Sequence, residues 1–266
     1  MDRAKIFRQA LQIIAVLLLT ASALAQGGPP LLTDDPGTPG NRNWEINVAY
    51  TQDRRADGNS YAVPLLDVNY GAGDRIQLNF QIPYLYSTSD GSPRESGLGN
   101  SLVGVKWRFY QNENAGWNIS TYPHLELNNP TDSLRRGLVE RAPNFLLPIE
   151  VTKTIGPLEL NFEAGYWFSQ HLKDGHILGF AAGHQTTKKL ELLSEVYDAG
   201  EIGSGNRNDT FDFGGRYEFH HNTIFLFMAG RSFQGTSSGQ SQFIGYFGIQ
   251  FQIQKTHHNP DPEANP

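Results

Sequence analysis

Twelve residues, Arg75 to Tyr86, constrain the fold more than any other stretch. Ile76, Leu78, Phe80, Ile82, Tyr84 and Tyr86 fall on one face of an extended chain, and Arg75, Gln77, Asn79 and Gln81 fall on the other. A period of two is the signature of a strand, because side chains alternate across a sheet. The run also matches the roughly 9–11 residues that a tilted strand needs to cross a bilayer. Its apolar face is continuous and ends in tyrosines. If such strands recur with suitable turns, their apolar faces meet lipid and their polar faces a lumen.

They do recur. Trp44, Ile46, Val48 and Tyr50 oppose Glu45 and Asn47; Ala62, Leu66, Val68 and Tyr70 oppose Asp67 and Asn69. Val103 to Phe109, Trp117 to Leu127, Phe145 to Val151 and Leu158 to Phe168 follow the same rule, as do Leu190 to Val196, Phe211 to Phe219 and Phe243 to Ile253. Two further segments are less clear. Residues 176–185 are rich in Ala and Gly, and 223–233 are apolar on both faces apart from Arg231, so their facing is open. With the opening run these make about twelve strands. The expected fold is all-β, a transmembrane antiparallel β-barrel.

Connections support this reading. Joins near 71–74, 111–116, 154–157, 185–189 and 220–222 are short, and those near 52–60, 87–98, 128–142, 199–208 and 234–240 are longer and polar. Short periplasmic turns alternating with longer outer loops are expected of an outer-membrane barrel. Aromatic residues group at two levels, Trp44, Tyr70, Phe109, Trp117, Phe219 and Phe251 at one, and Tyr50, Tyr61, Tyr84, Tyr86 and Phe168 at the other. Such belts suit the two membrane interfaces.

Prolines interrupt the pattern at 64, 83, 123 and 148. A closed barrel has no free edge to absorb a missing N–H, so bulges or breaks are expected where Pro64 approaches Pro83 and Pro123 approaches Pro148. Simple strand irregularity and a lateral gap between neighbouring strands are the two readings of the second pair.

The chain ends frame the barrel. Residues 1–25 read as a cleaved signal: Arg3, Lys5 and Arg8, an apolar Ile13–Leu19 core, then Ala23-Leu24-Ala25. Residues 26–43 form an irregular Pro/Gly-rich leader, 44–253 the barrel and 254–266 a polar tail. In the leader, Asp34 and Asp35 suit a solvated turn better than a cation site, which needs further spaced ligands. Loss of Arg3, Lys5, Arg8 and Asp2 leaves 18 basic against 26 acidic residues, a balance of −8. That balance, without a basic cluster, argues against nucleic-acid binding. The chain has no cysteine, which excludes disulfides and thiol chemistry.

Leu32-Thr33-Asp34-Asp35-Pro36-Gly37-Thr38-Pro39-Gly40 after the signal, Gly97-Leu98-Gly99-Asn100-Ser101 leading to Gly104-Val105-Lys106-Trp107-Arg108-Phe109, and Gly179 to Val196 with Glu195 resemble the outer-membrane barrels of the MetA-pathway of phenol degradation family. Asn100 departs from the Asp of that pattern. The resemblance implies a Gram-negative cell outer membrane location and passage of small aromatic or hydrophobic compounds. It also implies contact with outer-membrane lipid, insertion by the barrel-assembly machinery and no cofactor.

Chemistry is then expected in the lumen. Arg75, Lys106, Arg108, His124, Glu126, Glu150, Glu163, Glu195, Asp212 and Arg216 are the lumen-lining candidates. About eight strands close a filled barrel and 16–18 leave an aqueous channel, so twelve fits either a narrow pore or a plugged interior. No catalytic or metal site is expected. His124 and Glu126 share a face, but no serine is placed beside them as a nucleophile needs, and His171, His176 and His184 lack ligand spacing. His257-His258 in the tail offer only adventitious metal binding. The function expected is a porin-like passive channel. The alternatives are a plugged structural or adhesion barrel and a lipid-acting enzyme.

Overall fold

A computed structural model describes residues 28–89, 91, 93–234 and 240–254. The signal segment, Gln26, Gly27, most of the 234–240 join and the tail beyond Gln254, with its histidine pair, lie outside the described residues. Fourteen antiparallel strand segments make twelve staves of a closed barrel. They are β1 (Trp44–Arg54), β2 (Gly58–Gly71), β3 (Ile76–Ser89), β4 (Glu95–Leu98), β5 (Ser101–Asn112), β6 (Trp117–Thr121), β7 (His124–Leu127), β8 (Asn144–Ile155), β9 (Leu158–Ser169), β10 (Gly175–Gln185), β11 (Leu190–Glu201), β12 (Arg207–His220), β13 (Thr223–Ser232) and β14 (Phe243–Ile253). Each stave pairs with its neighbours in sequence, and β1 closes on β14 from Trp44↔Ile253 to Arg54↔Phe243. Closure leaves no unpaired edge.

Two staves are each built from two segments. β4 and β5 together flank β3, parted at Gly99-Asn100 opposite Pro83. β6 and β7 together lie between β5 and β8, parted at Tyr122-Pro123. Proline is the cause in both cases, since it cannot donate to a ladder. At Pro64 the expected bulge is present. Val63 and Pro64 oppose the single residue Tyr50 on one side and Tyr84 on the other. The extra residue flips the alternation beyond it, so Ala62 is buried inward rather than facing out, and Tyr61 takes the outer face, its ring 6.2 Å from that of Tyr50.

The alternation holds elsewhere. Leu78, Phe80, Val105, Trp107, Leu147, Ile149, Phe180, Phe213 and Phe247 are exposed on the outer surface, while Asn47, Asn79, Glu150, Asn161 and Asp212 are buried inside. An apolar band of this extent suits lipid, not water. The unclear segments are now placed. In β10, Ile177, Gly179, Ala181 and Gly183 face inward, against Leu178 and Phe180 outside. In β13, Leu226 and Met228 point inward against Phe225 outside. Of the belt residues, Trp44 lies 4.6 Å from Tyr70, and Phe168 lies 4.6 Å from Tyr166. The rhythm of connections is weaker than expected because strands run on into the loops. β1 and β2 reach 54 and 58, and β4 occupies 95–98, which leaves 128–143 and 233–242 as the long joins.

Candidate functional site in the barrel lumen

The leader expected to be a solvated turn runs inside the barrel. Its backbone, more than its side chains, is what the wall holds. Glu195 on β11 accepts from the N–H groups of Leu32 and Thr33, each at 2.8 Å, and Glu163 on β9 accepts from Asp34 N–H at 2.9 Å. Arg216 on β12 donates to the carbonyls of Gly28 and Pro29 at 3.0–3.1 Å and to Glu191 at 3.3 Å. Lys106 on β5 donates to the Asp34 carboxylate at 2.6 Å and to the Asp35 carbonyl, with Glu150 at 3.9 Å. Leu31 joins an apolar cluster with Ala49, Ala181, Leu193, Leu226, Met228, Ile244 and Tyr246. Thr33 is buried against β10, where a Cβ on Gly179 would stand 2.3 Å from its Oγ1.

Four of the sequence-predicted lumen residues, Lys106, Glu163, Glu195 and Arg216, therefore converge on the leader. Charge-assisted hydrogen bonds of this kind are the strong ones. Burial pushes the Asp35 carboxyl above its ordinary value, Lys106 opposing, and one of its oxygens has no partner.

The remaining candidates are dispersed. Glu150 is fully buried and accepts from Ser120. Asp212 lies opposite Glu195 in the ladder and accepts from Thr210 at 3.3 Å. Glu126 accepts from Asn100 at 2.9 Å and Asn144 at 2.8 Å, nearer the long-loop end. Asn100 is thus explained, since an Asp there would set two carboxylates face to face. Arg108 donates to the Asp74 carbonyl at 2.7 Å and the Pro36 carbonyl at 3.5 Å. Arg75 is exposed on the turn before β3, outside the lumen proper. His124 is not bonded to Glu126. Its ring lies edge-on to Tyr122 at 5.0 Å and Trp167 at 5.4 Å.

Beside the leader a cavity of about 520 Å³ remains. Asp53, Ser60, Asn208 and Ser241 line it near the long-loop end, and Glu45, Asn69 and Gln77 near the short-turn end. It therefore follows the wall from β12 through β14, β1, β2 and β3 to β5, while the leader, held by Glu163, Glu195 and Arg216 on β9, β11 and β12, crosses to Lys106 on β5. Its middle is mixed. Leu31, Leu65, Leu102, Met228, Ile244 and Tyr246 supply apolar surface, and Asp34, Asp67 and Lys106 supply charge. Asp67 is held by Asn47 at 2.9 Å, Asn69 at 3.3 Å and Asn79 at 2.6 Å. Tyr122, Trp167 and Leu146 were absent from the sequence-level lumen set. Counting inward from Glu126 in steps of two reaches Tyr122, a signal masked by Pro123.

No protein-family model matches the chain, and no curated protein matches it. Among solved structures it is similar to the COG4313 outer membrane channel from Pseudomonas putida F1, with a TM-score of 0.66 and 14% identity over 86% of this chain and 100% of that one. It is also similar to the KdgM porin (TM-score 0.52, 10% identity, 80% of this chain and 99% of that one). The NanC porin gives a TM-score of 0.52 and 8% identity, over 80% of this chain and 100% of that one. At these identities the likeness is one of fold, the closed outer-membrane barrel.

Proposed function

We propose that this chain is an outer-membrane channel for the passive passage of small aromatic or hydrophobic solutes, of the MetA-pathway of phenol degradation type. The observation that carries the reading is the cavity between leader and wall, lined at both ends of the barrel and partly apolar along its middle. A volume of about 520 Å³ lies in the range of small-molecule sites, about 300–1,000 Å³. The fold it shares with an outer membrane channel and two porins supports the same reading. In this reading residues 1–25 are removed on export, and the short turns face the periplasm.

Solutes enter between the outer loops, move along the leader and leave at the periplasmic end. Asp34, Asp53, Glu45 and Asp67 line the path, while Lys106 is already paired with Asp34. Rings of charge set ion preference in pores, so residual ion flow favours cations. The test is planar-bilayer recording together with uptake of phenol into proteoliposomes. Small cation-selective conductance and phenol uptake above the protein-free rate are expected. A folded barrel giving neither result refutes the channel.

A further inference from the structure

Two arginines stand on the outward face of the barrel without an ion-pair partner. Thr51 and Asp53 of β1 line the cavity, so Gln52 and Arg54, which alternate with them, face out. On β13, Ser232 is fully buried inward, and Arg231 faces out, opposite the exposed Phe211 of β12 in the ladder. Both arginines are exposed. Among the described residues neither is in an ion pair, and Arg231 makes only a 3.4 Å hydrogen bond from Nε to the Ser232 carbonyl. Between the two lies β14. Arg54 is paired with its Phe243, and Arg231 follows Gly230, which is paired with Ile244. The strands that carry the arginines are two sheet spacings apart, about 10 Å. Phe243 leaves the space between them open, because its ring leans over Gly245, where a Cβ would be 2.9 Å from it.

Depth and charge both matter at this place. Arg54 lies four residues beyond Tyr50, whose ring is beside that of Tyr61 in the outer aromatic belt. Phe211, Phe213, Phe233 and Phe247 are exposed on the same side of the barrel. A cation on the lipid face is costly at the bilayer midplane and nearly free at an interface, and an arginine stem can lie along apolar surface while its head reaches polar groups. Arg207, on the outward face of β12, shows what a paired cation looks like here. It is bonded to Asp198 at 3.2 Å and to Asp209 at 2.8 Å, and His176 also takes Asp198, at 3.0 Å. Those two carboxylates are thus occupied, and the guanidinium forks of Arg54 and Arg231 stay free. The opposite wall presents Tyr86, Leu98, Phe145 and Phe168 near its outer end.

We propose that Arg54 and Arg231 form a docking surface for the phosphorylated glycolipid of the outer leaflet, lipopolysaccharide. Each guanidinium takes one phosphate of the lipid A headgroup, and Phe211, Phe243 and Phe247 lie against its acyl chains. Arginine suits this role, since its fork meets a phosphate through two parallel N–H···O bonds. The headgroup is a disaccharide with a phosphate at either end, which two separated cations fit better than a glycerophospholipid with one phosphate. The inference goes beyond the channel reading and does not depend on it, because it needs only a barrel in the outer membrane.

The test is native mass spectrometry of the purified barrel in detergent, titrated with lipid A, with fully dephosphorylated lipid A and with phosphatidylglycerol. Lipid A is expected to bind about tenfold more tightly than either of the others, as two exposed ion pairs at the upper end of their range would give. Arg54→Gln/Arg231→Gln is expected to lower lipid A binding to the level of the dephosphorylated form. Arg94→Gln/Arg135→Gln removes the same charge from exposed positions outside the strands and is expected to leave it unchanged. Heat-modifiable mobility in gels checks that each variant is folded. Equal binding of the phosphorylated and dephosphorylated forms to the unsubstituted chain overturns the proposal, whatever the variants do. Equal loss in both double variants reduces the effect to general charge attraction and overturns it too, and equal binding of phosphatidylglycerol removes lipopolysaccharide as the specific occupant. Bilayer conductance is expected to be the same with and without Arg54→Gln/Arg231→Gln, so failure of the channel and failure of the docking surface are read separately.

Discussion

Replacing Glu195 by Gln tests whether the leader is held as the geometry indicates. The carboxylate is 2% exposed and takes the N–H groups of Leu32 and Thr33 one on each oxygen. The amide keeps one acceptor, loses the other and loses the charge. A hydrogen bond to a charged group contributes about 1.5–3 kcal/mol. Losing one outright and weakening its partner costs about 3 kcal/mol of docking, or roughly a hundredfold in the undocked fraction at about 1.4 kcal/mol per tenfold. Leu31→Cys supplies the reporter, because Leu31 is 8% exposed in the apolar cluster and becomes reachable only when the leader leaves. The rate of maleimide labelling in detergent is then compared with and without Glu195→Gln. Labelling about a hundredfold faster is expected. Glu159→Gln serves as the control, since Glu159 is equally enclosed but bonds Asn161 rather than the leader. Equal rates for Glu195→Gln and the parent would refute the docking argument.

Three further outcomes follow from the same geometry. Gly179→Val places a Cβ at 2.3 Å from Thr33 Oγ1. It is expected to weaken docking by about 1–3 kcal/mol, read by the same labelling, with Thr33→Gly restoring the parent rate. Lys106→Met strands Glu150, which is fully buried, beside Asp34. Breaking a buried pair costs about 3–5 kcal/mol, so the urea midpoint followed by tryptophan fluorescence in micelles should fall, and an unchanged midpoint counts against the pair. At the outer loop, Ser169 N–H and the Tyr166 hydroxyl hold the Asp174 carboxyl below its ordinary value. Its stabilisation is therefore present above the ordinary carboxyl range and lost as pH falls through the lowered value. Asp174→Asn should lower the protection of the Ser169 amide against hydrogen exchange at neutral pH and abolish the loss of that protection on acidification.

Strand alternation was legible because it follows directly from the pleat. Twelve staves, the outward rows and the bulge at Pro64 could all be read from residue types. The leader's course was not legible in its own residues. Asp34 and Asp35 are distinctive as side chains, while the wall grips the peptide groups of Leu32, Thr33 and Asp34, and peptide groups are the same in every sequence. A trace existed on the opposite surface. The two segments whose facing was open, 176–185 and 223–233, are those whose inward positions are small or apolar. Gly179 makes room for Thr33, and Leu226 and Met228 pack in the cluster with Leu31. In a barrel strand, loss of the polar inner row marks something other than water inside. The flip at Ala62 escaped because one extra residue reverses every later side chain, and the position of that residue depends on its neighbours' register.

The lumen is divided rather than simply blocked. Barrels near this size fall between filled and open, and here the filling is one-sided. The leader is held from β9, β11 and β12 and crosses to Lys106 on β5, and the cavity runs beside it from β12 round to β5. Buried carboxylates explain the division. Glu163 and Glu195 lie where desolvation penalises an unpaired charge, and the leader's N–H groups supply the partners that the neighbouring wall does not. On the cavity side, Asp67 is instead satisfied by three asparagines of the wall itself, Asn47, Asn69 and Asn79. Asp67 therefore needs no leader contact, and the cavity runs past it. A small aromatic solute therefore need not dislodge the leader to move through the barrel, whereas a solute larger than the cavity must first break the Glu195 fork.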